Sequence, residues 1–104
     1  MPVGIEPMNI LRTSTPDVLP ESYTALRVRP LDGLMERLGE VVRAASPKPD
    51  PTMAILSTGP HDQYYLDHKV FASELGAILA ERHEVELDRD GRLVHKESGR
   101  RIDI

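Results

Sequence analysis

Cysteine is absent from this 104-residue chain. No disulfide, thiolate metal site or cysteine nucleophile can be built from it, and the absence fits a cytoplasmic, reducing setting. Tryptophan is also missing and aromatics make up 4% of the residues, so the core has to come from Leu, Ile, Val and Ala. No apolar run reaches the ~18 residues of a membrane span, so no membrane partner is expected. The first residues, MPVGIEPMNILRTS, hold no basic stretch leading into an apolar one and do not read as a secretory signal. Positive charge is not in excess. A net charge of −4 and a pI near 5.5 argue against a nucleic-acid partner, which needs a basic surface.

What is present fits one small globular domain. The chain is 39% hydrophobic and 29% charged, enough for a single modest aliphatic core. Residues 1–19, with Pro2, Pro7 and Pro16, lack periodicity and read as an irregular N-terminal segment; residues 20–104 read as a single α/β domain. A short helical turn is expected within 17–25. An extended piece is expected at 28–31, where Pro30 disfavours a helical Arg29. Asp32 is a suitable N-cap for the next segment. There Leu31, Leu34, Met35, Leu38, Val41, Val42 and Ala45 recur at spacings of three and four, which predicts a helix over 33–45. The prolines of SPKPDP, 46–51, end it.

Residues 52–57, TMAILS, form a short apolar run bounded by turn residues and predict a buried, central strand. The turn Thr58-Gly59-Pro60 leads into a second helix, with Asp62 placed to cap it and Tyr64, His68, Phe71 and Leu75 on one face. Gly76 is a natural stop, and the AILA run that follows, 77–80, is expected to be a second strand. Asp90-Gly91 between two short alternating segments, 84–87 and 92–96, signals a hairpin. RIDI, 101–104, alternates as a strand would. The order predicts a small three-layer-type α/β unit: a short, mostly parallel sheet, two main helices and a β-hairpin near the C-terminus.

The candidate chemistry gathers at 55–68, ILSTGPHDQYYLDH, because α/β proteins place ligand contacts at strand-to-helix junctions. The helix N-terminus beyond Pro60 could receive a carboxylate or phosphate, or Asp62 could fill that role as a simple cap. Tyr64 and Tyr65 admit a contact role or plain packing. His61 and His68 would share a helix face but lie two turns, about 10 Å, apart, too far to bind one zinc ion, so no metal site is expected. Ser57 follows the strand with neither a G-x-S-x-G elbow nor an evident base partner. Neither G-x-G-x-x-G nor G-x-x-x-x-G-K-[ST] occurs, so no nucleotide phosphate loop is read here.

The run LSTGPHDQYYLDHKVFASELG, 56–76, resembles a signature of circularly permuted ATP-grasp proteins of type 2. In that family a strand ends in a Leu-Thr-Pro-Gly-type turn, followed by Asn, an aromatic pair, Glu-His, and a helix ending in Leu-Gly. Gly59, Pro60, Tyr65, His68, Leu75 and Gly76 match without a gap, whereas Thr58, Asp62 and Asp67 stand where the family has Pro, Asn and Glu. Collinear likeness continues upstream over 20–47 and downstream over 87–104, leaving out the first dozen or so residues. The resemblance implies an ATP- and magnesium-dependent ligase joining a carboxylate to an amine. It also implies that the nucleotide and metal residues lie mainly in regions absent from this chain, which would need no cofactor by itself. Under it, Thr58, Gly59, Asp62, Tyr65, Asp67 and His68 are the expected substrate-side residues, meeting a small carboxylate-bearing ligand.

Two readings follow. The chain is part of such a ligase, not catalytic alone, acting with a partner that supplies the nucleotide site; alternatively it is a noncatalytic protein-interaction domain derived from that fold. The alternating segment at 102–104 is expected to leave an open strand edge for a second copy or a partner chain.

Overall fold

A computed structural model describes residues 8, 11, 12, 14, 15, 17, 21–27, 29, 31 and 33–104, with backbone only at 23 and 24. The chain divides into two compact units, Met1–Leu34 and Met35–Ile104. In the first, helix α1 spans Glu21–Ala25, within the expected turn. The Arg12 guanidinium donates to the Arg29 carbonyl over 2.7 Å. The extended piece at 28–31 and the Asp32 cap fall mainly outside the described residues.

The second unit is built on a β-α-β element. Helix α2, Leu34–Ala44, is followed by strand β1, Ala54–Ser57, helix α3, Tyr65–Leu75, and strand β2, Ile78–Glu81. β1 and β2 pair in parallel, with Ala54 beside Ile78 and Ser57 beside Glu81. The first residues of β1 have neighbours on both sides: the Ile78 N–H donates to the Met53 carbonyl, and the Ala54 N–H to that of Ile104. Met35, Met53, Phe71 and Leu75 form the core, with Leu38, Val42, Ile55, Ala77 and Ile104 packed around them. Phe71 is 1% exposed, so the one phenylalanine of the chain fills the centre of an otherwise aliphatic cluster.

Two helix expectations need correction. The apolar stripe of α2 is narrower than its spacing suggests. Met35 is buried and Leu38 and Val42 are half-buried, but Val41 is 70% exposed. Residues 38 and 42 meet the core on one side, and 41 falls about 100° away from 42. α3 begins at Tyr65, so Tyr64 precedes it and cannot belong to its packed face. The stop at Gly76 occurs as expected: φ is +64°, and the Ala77 N–H donates back to the Ala72 carbonyl at 2.8 Å. Gly39 of α2 lies so close to α3 that an added Cβ would stand 3.1 Å from Leu75. One turn later, the Arg43 guanidinium donates to the Leu75 carbonyl at 2.9 Å, satisfying one of the free acceptors at the end of α3.

β1 is only partly buried. Leu56 is 56% exposed, although Ala80, its partner on the same face of the two-stranded sheet, is fully buried. After β2 comes a 3-10 turn, Arg82–Glu84, then the hairpin β3, Val85–Leu87, with β4, Leu93–His95. Asp88 N–H donates to the Arg92 carbonyl and Gly91 N–H to that of Asp88, with φ +73° at Gly91. That is a three-residue loop closed by a left-handed glycine, not a two-residue turn. Residues 101–104 make no regular strand. Arg101 forms a single bridge with Val94, and the N–H groups of 102, 103 and 104 donate to Leu93 and Thr52 carbonyls. Among the described residues, no helix is long and apolar enough to cross a membrane.

Candidate functional site

Parallel pairing brings the carboxyl ends of β1 and β2 side by side, and α/β sheets hold their ligands beyond such ends. An open cleft of about 460 Å³ lies there, lined by Ser57, Thr58, Glu81, Arg82 and His83.

The first wall is the turn leaving β1. The Ser57 hydroxyl accepts the Gly59 N–H at 3.1 Å and lies 3.1 Å from His68 Nδ1. This corrects the expectation that Ser57 lacks a base partner: α3 returns over the strand end and brings His68 back to it. The serine is 7% exposed, and through these two contacts its hydroxyl ties the turn to the helix. The Thr58 hydroxyl donates to Asp62 Oδ2 at 2.6 Å, and the Tyr64 N–H to Asp62 Oδ1 at 2.8 Å. The Thr58 hydroxyl first and the Tyr64 N–H second, with His68 adding a smaller share, hold the Asp62 carboxyl below its ordinary value. Asp62 therefore closes the turn ahead of α3 and does not sit at the helix N-cap, which is Tyr64 without a side-chain bond.

The second wall comes from the end of β2. Gly59 has φ +100°, and a Cβ there would stand 2.9 Å from the Glu81 carboxyl group. Glycine at this position lets that carboxyl lie against the turn. Glu81 and Glu84 form a capping box across the 3-10 turn, the Glu81 N–H donating to Glu84 Oε2 at 2.7 Å. His83 Nδ1 lies 3.5 Å from Glu81 Oε2.

Of the expected site residues, Thr58, Gly59, Asp62 and His68 gather at this junction. Tyr65 is engaged elsewhere, with Lys69 Nζ 5.9 Å from its ring centre, and Asp67 lies on the first turn of α3. Sequence reasoning missed Glu81, Arg82 and His83. The signal for them was the parallel pairing itself, which sets the last residue of β2 beside the last residue of β1. Among the described residues, no three His, Asp or Glu side chains come together to hold a metal ion. The donors lining the cleft among the described residues, with Glu81 as the one carboxylate, do not make a magnesium site.

A family model of circularly permuted ATP-grasp type 2 proteins matches residues 1–104. The chain belongs to this family. The match takes in the first residues as well, which the motif-based likeness left out. Among its relatives is a protein of Frankia casuarinae named "Putative glutamate--cysteine ligase 2-2", 32% identical over 104 residues that make up 97% of this chain and 12% of that protein. Uncharacterised proteins of Mycobacterium bovis and Mycobacterium tuberculosis are 27% identical over 107 residues, covering 99% of this chain and 19% of theirs. The chain thus spans less than a fifth of the length of these relatives. No solved structure is a significant match.

Proposed function

We propose that this ATP-grasp segment forms one substrate-side wall of an ATP-dependent ligase that joins a carboxylate to an amine, and that it does not catalyse the reaction alone. One observation carries this reading: the carboxyl ends of β1 and β2 frame an open, polar-edged cleft in a chain of this family. Membership supports the ligase class, and the name of the Frankia relative is consistent with it. Coverage of 12% to 19% of the relatives supports a division of labour, in which other parts of a whole protein, or a partner chain, bring ATP and magnesium.

The chain's own share is binding and orientation. Ser57, Thr58 and Gly59 present one side, and Glu81, Arg82 and His83 the other. Asp62 and His68 fix the turn from behind, and Tyr65 and Asp67 offer neighbouring surface on α3. Exposed Leu56 favours a covering from further protein, since parallel sheets are ordinarily covered on both faces. A partner chain or second copy belongs to the same proposal, but not by pairing with an open edge at 102–104, where the N–H groups already donate to Leu93 and Thr52 and the Ile104 carbonyl accepts the Ala54 N–H.

Two measurements test this. Incubated with ATP, magnesium and mixtures of small carboxylates and amines, the 104-residue chain should give no turnover above blank. In amide chemical-shift mapping, small carboxylates or amines should move resonances at 57–59 and 81–83, and ATP should not. Turnover by the chain alone, or silence to every small ligand, overturns the proposal.

A further inference from the structure

The outer edge of β1 is taken at its start and open further along. The backbone groups of 53 and 55 turn toward β2, since the Ile78 N–H donates to the Met53 carbonyl; those of 52, 54 and 56 turn the other way. On that side the Ile104 N–H donates to the Thr52 carbonyl at 3.3 Å, and the Ala54 N–H to the Ile104 carbonyl at 2.9 Å. A residue bonded to both neighbours of the one beside it is in a parallel pair, so Ile104 stands beside Met53 and runs in the direction of β1. The next two groups along this edge, the Ala54 carbonyl and the Leu56 N–H, have no hydrogen bond among the described residues. β1 carries neither the charge nor the proline that usually blunts a free edge. β2 is protected at its end where β1 is not: the outward N–H of Glu81 is taken up by Glu84 Oε2 at 2.7 Å.

We infer that this edge receives an extended strand from the remainder of the ligase, running parallel to β1 and in line with Ile104. The inference rests on reading the chain as one part of a larger ligase, and adds where, in which direction and by what chemistry the rest joins it. One incoming residue satisfies both open groups, its N–H donating to the Ala54 carbonyl and its carbonyl accepting the Leu56 N–H. That residue stands beside Ile55, which packs against the core with Met53 and Ile104, so its side chain has to be apolar. The residue after it lies beside Leu56 on the opposite face and has to be apolar as well, to cover a leucine that is 56% exposed. Two consecutive apolar residues are what a parallel strand covered on both faces carries. The remainder is the occupant because this chain makes up 12% to 19% of its relatives. A second copy brought in by a twofold axis would offer the same edge in the antiparallel sense, against the direction that Ile104 sets.

The peptide acetyl-Thr-Val-Ile-Thr-Lys-amide, with its valine meant for the place beside Ile55, tests this on the 104-residue chain. At millimolar peptide the Leu56 amide should exchange its hydrogen about tenfold more slowly than in the chain alone, as one net hydrogen bond gives. An N-methyl group on the valine deletes the donor to Ala54 and should abolish the effect. So should Glu-Lys in place of Val-Ile. A nitroxide on the lysine of the peptide should broaden resonances at 57–59 and leave 52–54 sharp. Broadening at 52–54 instead, equal protection by the N-methylated or the charged peptide, or no protection by any of them overturns the inference and leaves the substrate-wall reading standing. A Leu56 amide already slow in the chain alone, with a dimer in sedimentation, overturns it in favour of a second copy. Turnover by the chain alone overturns the ligase reading, and this occupant with it.

Discussion

The two ends of the second unit handle polar groups in opposite ways. At the hairpin and the segment after it, charges meet charges. Arg101 Nε lies 2.8 Å from Asp88, and its terminal nitrogen lies 2.9 Å from Asp90. Lys48 pairs with Asp103, which also accepts the Thr52 N–H at 2.9 Å. At the β1–α3–β2 junction, an apolar core around Phe71 holds the elements, and the polar groups at the strand ends face an open cleft. At the hairpin even Asp88 Oδ2, buried without a hydrogen bond, is tied to Arg101 as an ion pair, whereas the strand-end side chains of Ser57, Thr58, Glu81, Arg82 and His83 line open space. The density of charge on a surface therefore does not locate a site; the place where the fold leaves a cleft does.

If the junction is held by its core, Phe71→Ala should have the largest effect. Truncating a fully enclosed phenylalanine costs about 3–5 kcal/mol, a large share of the stability of a small domain. In urea denaturation the junction should unfold at the lowest denaturant concentrations; a midpoint close to wild type would break the comparison.

Next comes Gly59→Ala, where a Cβ meets the Glu81 carboxyl and the backbone has φ +100°. The strain is on the order of 1–3 kcal/mol. A lowered thermal midpoint should accompany lost small-ligand binding, because the carboxyl has to move. Unchanged binding would separate the glycine from the cleft.

The charged end should show itself through pH. Donation from Lys48 first, then from the Thr52 N–H, holds the Asp103 carboxyl below its ordinary value of 3.8. At Asp88, the Arg92 and Asp90 N–H groups do the same, with Arg101 adding to them. A carboxyl whose folded value is depressed stabilises fully above its unfolded value and loses that contribution as pH falls through the folded one. Stability by denaturant titration should therefore drop as pH falls below the ordinary carboxyl value of 3.8, and Asp103→Asn should flatten that drop. A slope unchanged by the substitution would remove Asp103 from the account.

Arg101→Gln should be the mildest. Its pairs are partly exposed, so much of its effect should be reproduced in the wild type by raising salt to about 0.5 M, where screening is strong. A loss equal to that of Phe71→Ala would show that charges hold the core as well.

Features with local causes could be read from the sequence. The prolines after α2, the glycine at 76 and the Asp-Gly of the hairpin each act through their own backbone, and each was legible. The start of α3 was misread because Asp62 bonds within the turn, accepting the Tyr64 N–H, instead of capping the helix. Val41 was misread because periodicity gives the spacing of a face and not its width. The Ser57–His68 contact and the Glu81 wall were not legible. Both depend on where residues 11 and 24 positions further along return to the end of β1, and only the packing of α3 and the register of β2 fix that.

Between the stop of α3 and the start of β2 lie only Gly76 and Ala77. This link acts as a phase-setter. In a strand, each step of one residue turns the side chain to the opposite face. With two residues in the link, the strand arrives with its acid on the cleft side, opposite Ser57. One inserted residue would leave both strands and their pairing in place but bring Ala80 to that position, and a chain of nearly identical composition would carry a neutral wall.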